Sequence, residues 1–298
     1  MQKSSTALEQ QLEQIAAGEH LAADAVRALA QGADILPLGM LADAMCRRLH
    51  QGTTTYARVA TCPFDGSFAD GTPVSARELR ITGHPPSFEV AVTAVQAARA
   101  VAGGRTVSGL SWTDVLRFVD AGVPAMRVLR ELRDAGLDAF AELPLDVMED
   151  AATVIEPLRE AGFDQLRVTV DKQPAALRTE ALLRLAHVQQ RVGGIAAINP
   201  LPMALSAFRP TTGYEDVKMV AVARLAAPEI PHVQVDWIRY GPKLAQVALT
   251  FGANDIDSVA ASDDAPEGRR RAPLEEIRRN IEAAGFAPAE RDGRFRRM

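Results

Sequence analysis

Two spacings of hydrophobic residues alternate along most of this chain. Short runs rich in β-branched residues predict strands, among them TTTYARVATC, ELRITG and RTVSGLS. Longer stretches with an apolar residue every three or four positions predict amphipathic helices between most of these runs. The alternation continues with further strand candidates, LDAFAELP, FDQLRVTVD, GIAAINPLP, HVQVDWIRY and ANDIDS. Strands that alternate with helices of this length are typical of βαβ units and a parallel sheet.

Seven or eight strand candidates in 298 residues favour a closed (β/α)₈-type barrel. The alternation is also compatible with an open parallel sheet. The first fifty residues carry helical patterns, such as LADAMCRRLH, before the first strand candidate. We therefore predict an N-terminal helical extension over residues 1–50, followed by an α/β barrel with a C-terminal helix over residues 51–298, the whole forming one structural unit.

Composition narrows the classes of function. The chain is 47% hydrophobic and 24% charged, with a net charge of −5, and its basic residues are interspersed with acidic ones. Because nucleic-acid binding needs a clustered positive face, we expect no nucleic-acid partner. No run approaches the roughly 20 apolar residues that cross a bilayer, and the polar opening MQKSSTALEQ does not have the pattern expected of a signal sequence. We expect a cytoplasmic protein without a membrane partner.

Two C-terminal stretches carry a family resemblance. The segments PHVQVDWIRYGPKLAQVALTFGANDIDS and EEIRRNIEAAGFAPAERDGRF closely resemble the C-terminal part of the radical SAM enzymes of the futalosine route to menaquinone. That group includes aminofutalosine synthase, the dehypoxanthine futalosine cyclase and the related deazaflavin-cofactor synthases. The resemblance extends, less evenly, over most of the chain. It implies a radical SAM-type (β/α) barrel, here partial or compacted.

The places where that family contacts its cofactors are the places where this sequence departs from it. The family holds a [4Fe–4S] cluster with a CxxxCxxC loop near the N-terminus, whereas this chain has only Cys46 and Cys62, too far apart for such a motif. A disulfide between them is possible, but two isolated thiols in a reducing compartment are favoured. Only Gly83 remains of the family's glycine-rich second strand, which faces SAM. We expect neither a [4Fe–4S] cluster nor SAM as a cofactor.

The connection after the first strand supports this expectation. Between the first two strand candidates stands CPFDGSFADGTPVSAR, where the family places both its cluster loop and a crossover helix. A βαβ crossover alone needs a dozen or more residues. The cluster loop is therefore interpreted as deleted. The histidines show no metal-ligand spacing such as HExxH, so we predict no metal site.

Candidate catalytic residues follow from the barrel, because active sites of such barrels lie at the C-terminal ends of the strands. Carboxylates and a lysine there would suit acid–base chemistry, and the candidates are Glu142, Asp171, Lys243 and Asp255. The alternative is that Glu142 and Asp171 are helix caps or first-turn acids, which Pro144 and Pro174 favour.

Candidate substrate-binding residues are His84, Asp236, Trp237 and Asn254. His84 ends a strand and is followed by two prolines that would fix its position. A lone loop histidine is nevertheless more often structural. For Asn254 and Asp257, a structural role in closing the barrel is slightly favoured.

Two functions remain open. The first is a non-catalytic partner or regulator in the menaquinone pathway, paired with a radical SAM paralogue or with a second copy of itself. The second is a repurposed enzyme that performs SAM-independent acid–base chemistry on a futalosine-like nucleoside. Convergence of the catalytic candidates in one pocket would favour the enzyme, whereas a filled or apolar barrel mouth would favour the partner. Radical SAM activity is not expected in either case.

Overall fold

A closed barrel of eight parallel strands forms the centre of the molecule. The computed structural model describes residues 2–66, 72–171, 175–202, 213–261 and 273–298. The strands are β1 (Thr53–Pro63), β2 (Glu78–Thr82), β3 (Thr106–Ser111), β4 (Ala139–Pro144), β5 (Leu166–Val170), β6 (Ile195–Pro200), β7 (His232–Asp236) and β8 (Asp255–Ala260). Each pairs with the next, and β1 pairs with both β2 and β8. The prediction of a closed α/β barrel is therefore confirmed.

Helices surround this barrel. Three precede the first strand, namely α1 (Gln2–Ala17), α2 (Ala23–Gln31) and α3 (Ile35–His50). The others are α4 (Phe88–Val101), α5 (Trp112–Asp120), α6 (Ala125–Ala135), α7 (Ala152–Glu160), α8 (Ala175–Val192), α9 (Tyr214–Ala226), α10 (Trp237–Leu249) and α11 (Pro273–Ala283). α3 packs against α9 through buried apolar residues of both helices. Among the described residues, no helix is long and apolar enough to cross a membrane.

The connections after β1 and β7 bear on the predicted elements, and only the second differs from the prediction. The described residues between β1 and β2, 64–66 and 72–77, contain no helix. The candidate strand HVQVDWIRY ends earlier than predicted, because α10 begins at Trp237. The Asp236 side chain caps this helix by accepting hydrogen bonds from the backbone N–H groups of Ile238 and Arg239, both at 2.9 Å.

A ninth strand, β9 (Ala287–Glu290), was not predicted. It pairs in parallel with Thr53–Tyr56 at the start of β1, whereas β2 pairs with the later residues of the same strand. The tail after β9 then reaches the N-terminal ends of the strands, where Arg291 is fully buried. We call this end of the barrel the floor, and the opposite end, formed by the C-terminal ends of the strands, the mouth.

Candidate functional site at the barrel mouth

A cavity of about 390 Å³ opens at the mouth of the barrel. The ends of β1, β2, β3, β4, β7 and β8 contribute to its wall, together with the start of α10. Charged and hydroxyl-bearing side chains face it, including His84, Asp114, Glu142, Asp236, Arg239 and Ser258. The mouth is therefore neither filled nor purely apolar, and it suits a polar small molecule.

His84 and Asp114 form a pair at this cavity. Nδ1 of His84 lies 2.9 Å from a carboxylate oxygen of Asp114. Asp114 is buried at the start of α5, where its other oxygen accepts the backbone N–H of Ser111 in a capping box. The imidazole itself is 70% exposed. Because the carboxylate engages Nδ1, the nitrogen left for a ligand is Nε2.

The other acidic groups of the mouth are also paired. Glu142 accepts a hydrogen bond of 2.7 Å from Arg239, and both side chains are more than one third exposed. Asp236 caps α10 with one oxygen and accepts the hydroxyl of Ser258 at 2.9 Å with the other. These carboxylates are held in place by partners, which leaves the mouth with fixed polar groups.

Two non-glycine residues of the cavity wall adopt left-handed backbone conformations. Leu110 on β3 has a φ of 58°, and Ser258 on β8 has a φ of 59°. A Cβ atom meets steric hindrance in this region, and such strain costs on the order of 1–3 kcal/mol per residue. Strain of this kind is enriched at functional sites; the other two left-handed non-glycine residues among those described, Gln51 and Phe295, lie outside this cavity.

Thr169 and Asn199 are polar residues that the sequence reasoning missed. They face each other across β5 and β6 near the mouth, and alternation puts Thr169 on the same inward face as Arg167. Both residues are buried, yet Oγ1 of Thr169 and Oδ1 of Asn199 have no hydrogen-bond partner among the described residues. A polar residue within an apolar strand was the available signal. Buried unpaired polar atoms call for an explanation, and a ligand or water supplies one.

Below the mouth, charged side chains fill the barrel. Arg80 on β2 bonds to Glu78 at 2.7 Å, to Asp257 at 3.0 Å and to the hydroxyl of Ser258 at 3.1 Å. Glu78 also accepts two hydrogen bonds from Arg167, at 2.8 and 2.7 Å. Burial alone would raise the pKa of Glu78, but Arg167 and Arg80 outweigh it and hold that pKa well below its usual range.

Two of the predicted site residues lie at the floor. Asp255 is fully buried between Arg291, which donates two hydrogen bonds, and the side chains of Thr55 and Gln234. Burial would raise its pKa, but Arg291 lowers it to about 2. Asn254 accepts hydrogen bonds from Arg224 and from the backbone of Val233. The expected position of both residues near the mouth is corrected, because β8 begins at Asp255 and runs on to Ala260.

The remaining candidates are dispersed. Lys243 is exposed on α10, and Trp237 is the buried first residue of that helix. Asp171 follows β5, where its backbone N–H donates to Asp146 and its carbonyl accepts from Arg178. Of the four catalytic candidates only Glu142 lines the mouth cavity, whereas His84 and Asp236 do so among the binding candidates.

The two thiols occupy separate elements. Cys46 is buried in α3, with its sulfur 3.6 Å from the carbonyl oxygen of Ala253, and Cys62 lies near the end of β1. Burial raises the pKa of both thiols. Cysteine binds metals and clusters as the thiolate, so a raised pKa makes both sulfurs less suited to that role. No group of three or more histidine, cysteine or acidic residues that could hold a metal ion occurs among the described residues.

Comparisons with known proteins locate the chain among its relatives. The family model of the CofH/MqnC C-terminal region matches residues 203–297. A 5-amino-6-(D-ribitylamino)uracil–L-tyrosine 4-hydroxyphenyl transferase of Archaeoglobus fulgidus is 29% identical over 58% of this chain and 59% of its own length. The aminodeoxyfutalosine synthase of Thermus thermophilus is 28% identical over 74% of this chain and 69% of its own length. The match to the Archaeoglobus transferase thus spans about three fifths of that protein.

A third relative and two solved structures are also similar to this chain. The cyclic dehypoxanthine futalosine synthase of Streptomyces coelicolor is 27% identical over 57% of this chain and 49% of its own length. The hydrogenase maturase HydG of Carboxydothermus hydrogenoformans superimposes with a TM-score of 0.67 at 12% identity, over 99% of this chain and 82% of that one. Methylornithine synthase gives 0.62 at 13% identity, over 94% and 97%. These two likenesses support the barrel fold.

Proposed function

We propose that this chain, a relative of the radical SAM enzymes of the futalosine pathway, is a small-molecule-binding barrel that works without an iron–sulfur cluster. In this proposal it acts in that pathway as a non-catalytic partner or regulator, and its mouth binds a polar metabolite. Its role is to sense or hold that metabolite and not to cleave SAM.

The observation that carries the proposal is the open polar mouth with its strained wall. Leu110 and Ser258 hold left-handed conformations beside a cavity of about 390 Å³, and such conformations in non-glycine residues are enriched at functional sites. The inward-facing Thr169 and Asn199 add polar atoms without a described partner near the same end. Fixed polar groups around a cavity favour recognition of a ligand with several hydroxyl or amide groups.

The cysteines support the absence of a cluster. The chain contains two of them, whereas clusters of this class are held by at least three thiolates. Cys46 is buried in α3 and both thiols have raised pKa values, so these residues do not fit a cluster. SAM cleavage is chemistry that the cluster supplies, and we therefore derive no radical step for this chain.

The class of ligand is suggested by the relatives. Their names concern aminodeoxyfutalosine, cyclic dehypoxanthine futalosine and a ribitylaminouracil, all of which carry a hydroxylated sugar or sugar alcohol. A hydroxyl group can donate to Nε2 of His84 or accept from Arg239. We therefore propose a nucleoside-like or ribityl-bearing metabolite as the ligand of the mouth.

Calorimetric titration with aminodeoxyfutalosine, a ribitylaminouracil and SAM tests this proposal. We expect at least one of the first two to bind and SAM not to bind. His84→Ala should weaken that binding about five- to tenfold, the equivalent of one hydrogen bond. The matched control is His20→Ala, which removes an imidazole outside the lining of the mouth and should leave affinity unchanged. Binding of SAM alone, or equal affinity in both variants, would overturn the proposal.

A second candidate function rests on the pair of His84 and Asp114. A buried carboxylate that orients Nδ1 of an imidazole is the arrangement of a general base, in which Nε2 takes a proton from a ligand hydroxyl. The chain would then be a SAM-independent acid–base enzyme acting on a futalosine-like nucleoside. Only the second function predicts that the bound metabolite is converted to a product.

Mass spectrometry of the same metabolites after prolonged incubation with the protein separates them. The non-catalytic proposal predicts that the metabolites remain unchanged. It also predicts that, in size-exclusion chromatography, the protein either co-elutes with a radical SAM paralogue or elutes as a homodimer. If the protein converts a metabolite, and Asp114→Asn abolishes this conversion while ligand binding persists, the chain is an acid–base enzyme and the non-catalytic proposal is wrong.

A further inference from the structure

A second cavity, distinct from the mouth, lies at the floor end of the barrel. It has a volume of about 620 Å³ and lies between the C-terminal tail, the loop after α4 and the residues that lead into β2, β3 and β4. Five arginines line it, and we call it the arginine cavity: Arg77, Arg99, Arg105, Arg294 and Arg296. No residue that we assign to the mouth contributes to it.

The positive charge of the arginine cavity exceeds its negative charge. Its lining contains two acidic side chains, Asp138 and Asp292, of which Asp292 pairs with Arg296. A third carboxylate, Glu290, lies outside the lining and pairs with Arg77, so three carboxylates face five arginines. Asp138 is shared by Arg99, Arg294 and the neighbouring Arg133. Burial would raise the pKa of Asp138, but the Val107 N–H and the guanidinium groups outweigh it and lower that pKa, so the carboxylate is already charged. One carboxylate balances only one of three cations, which leaves an electropositive wall.

Arg105 contributes a charge that no carboxylate balances in the part of the chain that the structure describes. Its guanidinium donates to the main-chain carbonyls of Val101, Ala102 and Pro73, at 2.9, 2.6 and 3.0 Å. These carbonyls fix the group in position without neutralising it. A guanidinium that is fixed in advance loses little conformational entropy when it binds an anion.

The backbone next to Arg105 is not covered by side chains. Gly103 and Gly104 have φ values of 56° and 84°, and a side chain built on either would meet no atom within 4 Å. A ligand can therefore approach the main chain there. Arg294 and Arg296, which are 45% and 74% exposed, lie at the solvent side of the cavity.

We propose that the arginine cavity binds a small anion that carries a diphosphate group. Guanidinium groups match the geometry of phosphate oxygens through paired hydrogen bonds, and several of them together favour a ligand with more than one negative charge. The volume exceeds the needs of a single phosphate ion. The diphosphate is either free pyrophosphate or the diphosphate of a nucleotide, and this site does not depend on the proposed function of the mouth.

Isothermal titration calorimetry with inorganic pyrophosphate, ADP, AMP and inorganic phosphate in 100 mM NaCl tests the proposal. We expect pyrophosphate or ADP to bind at least tenfold more tightly than AMP or phosphate. Tighter binding of pyrophosphate identifies the free anion as the source, and tighter binding of ADP identifies a nucleotide. Absence of binding by both would overturn the proposal.

Two double variants with equal changes in charge give the specificity control. Arg294→Gln with Arg296→Gln should weaken pyrophosphate binding at least tenfold and flatten its dependence on salt. Arg127→Gln with Arg130→Gln removes two similarly exposed arginines of α6, which pair with Glu131 and Glu160 outside the cavity, and should leave affinity unchanged. If both double variants bind pyrophosphate equally weakly, the effect comes from net charge alone and the proposed site is wrong. Thermal unfolding confirms that both variants are folded, and His84→Ala should bind pyrophosphate normally.

Discussion

The mouth and the floor of the barrel both carry paired charges, but the pairs differ in their exposure. At the floor, the side chains of Arg291 and Asp255 are 0% exposed, as is Glu78, while Arg167 is 1% exposed. At the mouth, Arg239 and Glu142 are 45% and 36% exposed. The floor pairs are sealed by the C-terminal tail, whereas the mouth pairs surround an open cavity. The same residue types are therefore buried structural pairs at one end and, in the proposed function, groups for ligand recognition at the other.

The C-terminal tail closes the floor because its residues bond to charged side chains of the strands. Arg291 bonds to Asp255, and the carbonyl of Gly293 accepts from Arg167 at 2.7 Å. The ring of Phe295 covers Arg291 at 4.1 Å and stacks on His232 at 4.8 Å. Buried charges are tolerated only when every partner is present, so the floor depends on each of these contacts.

The largest effect is expected from Arg291→Met. It leaves the buried Asp255 without its cation, and removing one partner of a buried pair costs about 3–5 kcal/mol. Urea unfolding of the variant measures this loss. Arg239→Met at the mouth is the matched control, with an expected loss below about 1 kcal/mol. Similar losses in the two variants would remove the distinction between floor and mouth.

Acidification should also weaken the floor. The ring of His50, the last residue of α3, stacks on that of His232 at the floor. Burial lowers the pKa of His232 to about 4 and that of His50 to about 3, and Arg224 adds to the lowering in both. Their folded-state pKa values lie below the unfolded value of about 6.5, so the unfolded state binds more protons below that pH. Stability should therefore fall by up to about 1.4 kcal/mol per pH unit for each histidine between pH 6.5 and about 4.

Urea unfolding at pH 7, 6 and 5 checks this slope. The range lies above the titration of Asp255, whose pKa is about 2, so that carboxylate adds little to the slope. The His50→Gln/His232→Gln double variant should have a shallower slope than the parent protein. An identical slope in the two proteins would contradict the assignment to these histidines.

The smallest effect is expected from Glu142→Gln. The pair with Arg239 is partly exposed, so its loss should cost less than about 1 kcal/mol of unfolding free energy. The change nevertheless alters the charge of the mouth, and calorimetry should detect a change in metabolite affinity beside this small change in stability. Strong destabilisation by this variant would mean that the mouth pairs are structural, like those of the floor.

The elements that were predicted correctly are those whose signal is local. The strands from β1 to β8 and the helices between them follow from changes in hydrophobic spacing. β9 was missed because its sequence, APAE, is short, contains a proline and lacks β-branched residues. It becomes a strand only because the start of β1 leaves a free edge beside it. The break between β7 and α10 was missed because Asp236 caps a helix within an apolar run.

The site was predicted only in part, since the position of a residue along a strand decides which end of the barrel it faces. β8 spans six residues, so a small error in its start moved Asp255 and Asn254 from the floor to the mouth. His84, Glu142 and Asp236 were placed correctly at the mouth because they follow or end their strands. Thr169 and Asn199 were missed because nothing in one sequence shows that a strand residue faces inward without a partner.

The sequence by itself determined the barrel class and the number of cysteines, because spacing and composition are properties of neighbouring residues. The tertiary structure decided the pairing of charges, since Glu78 meets Arg167 across 89 positions and Asp255 meets Arg291 across 36. It also decided the left-handed conformations of Leu110 and Ser258 and the gathering of five arginines from three separate segments at one cavity. Such contacts depend on the closure of the barrel, and closure joins residues that share no local pattern.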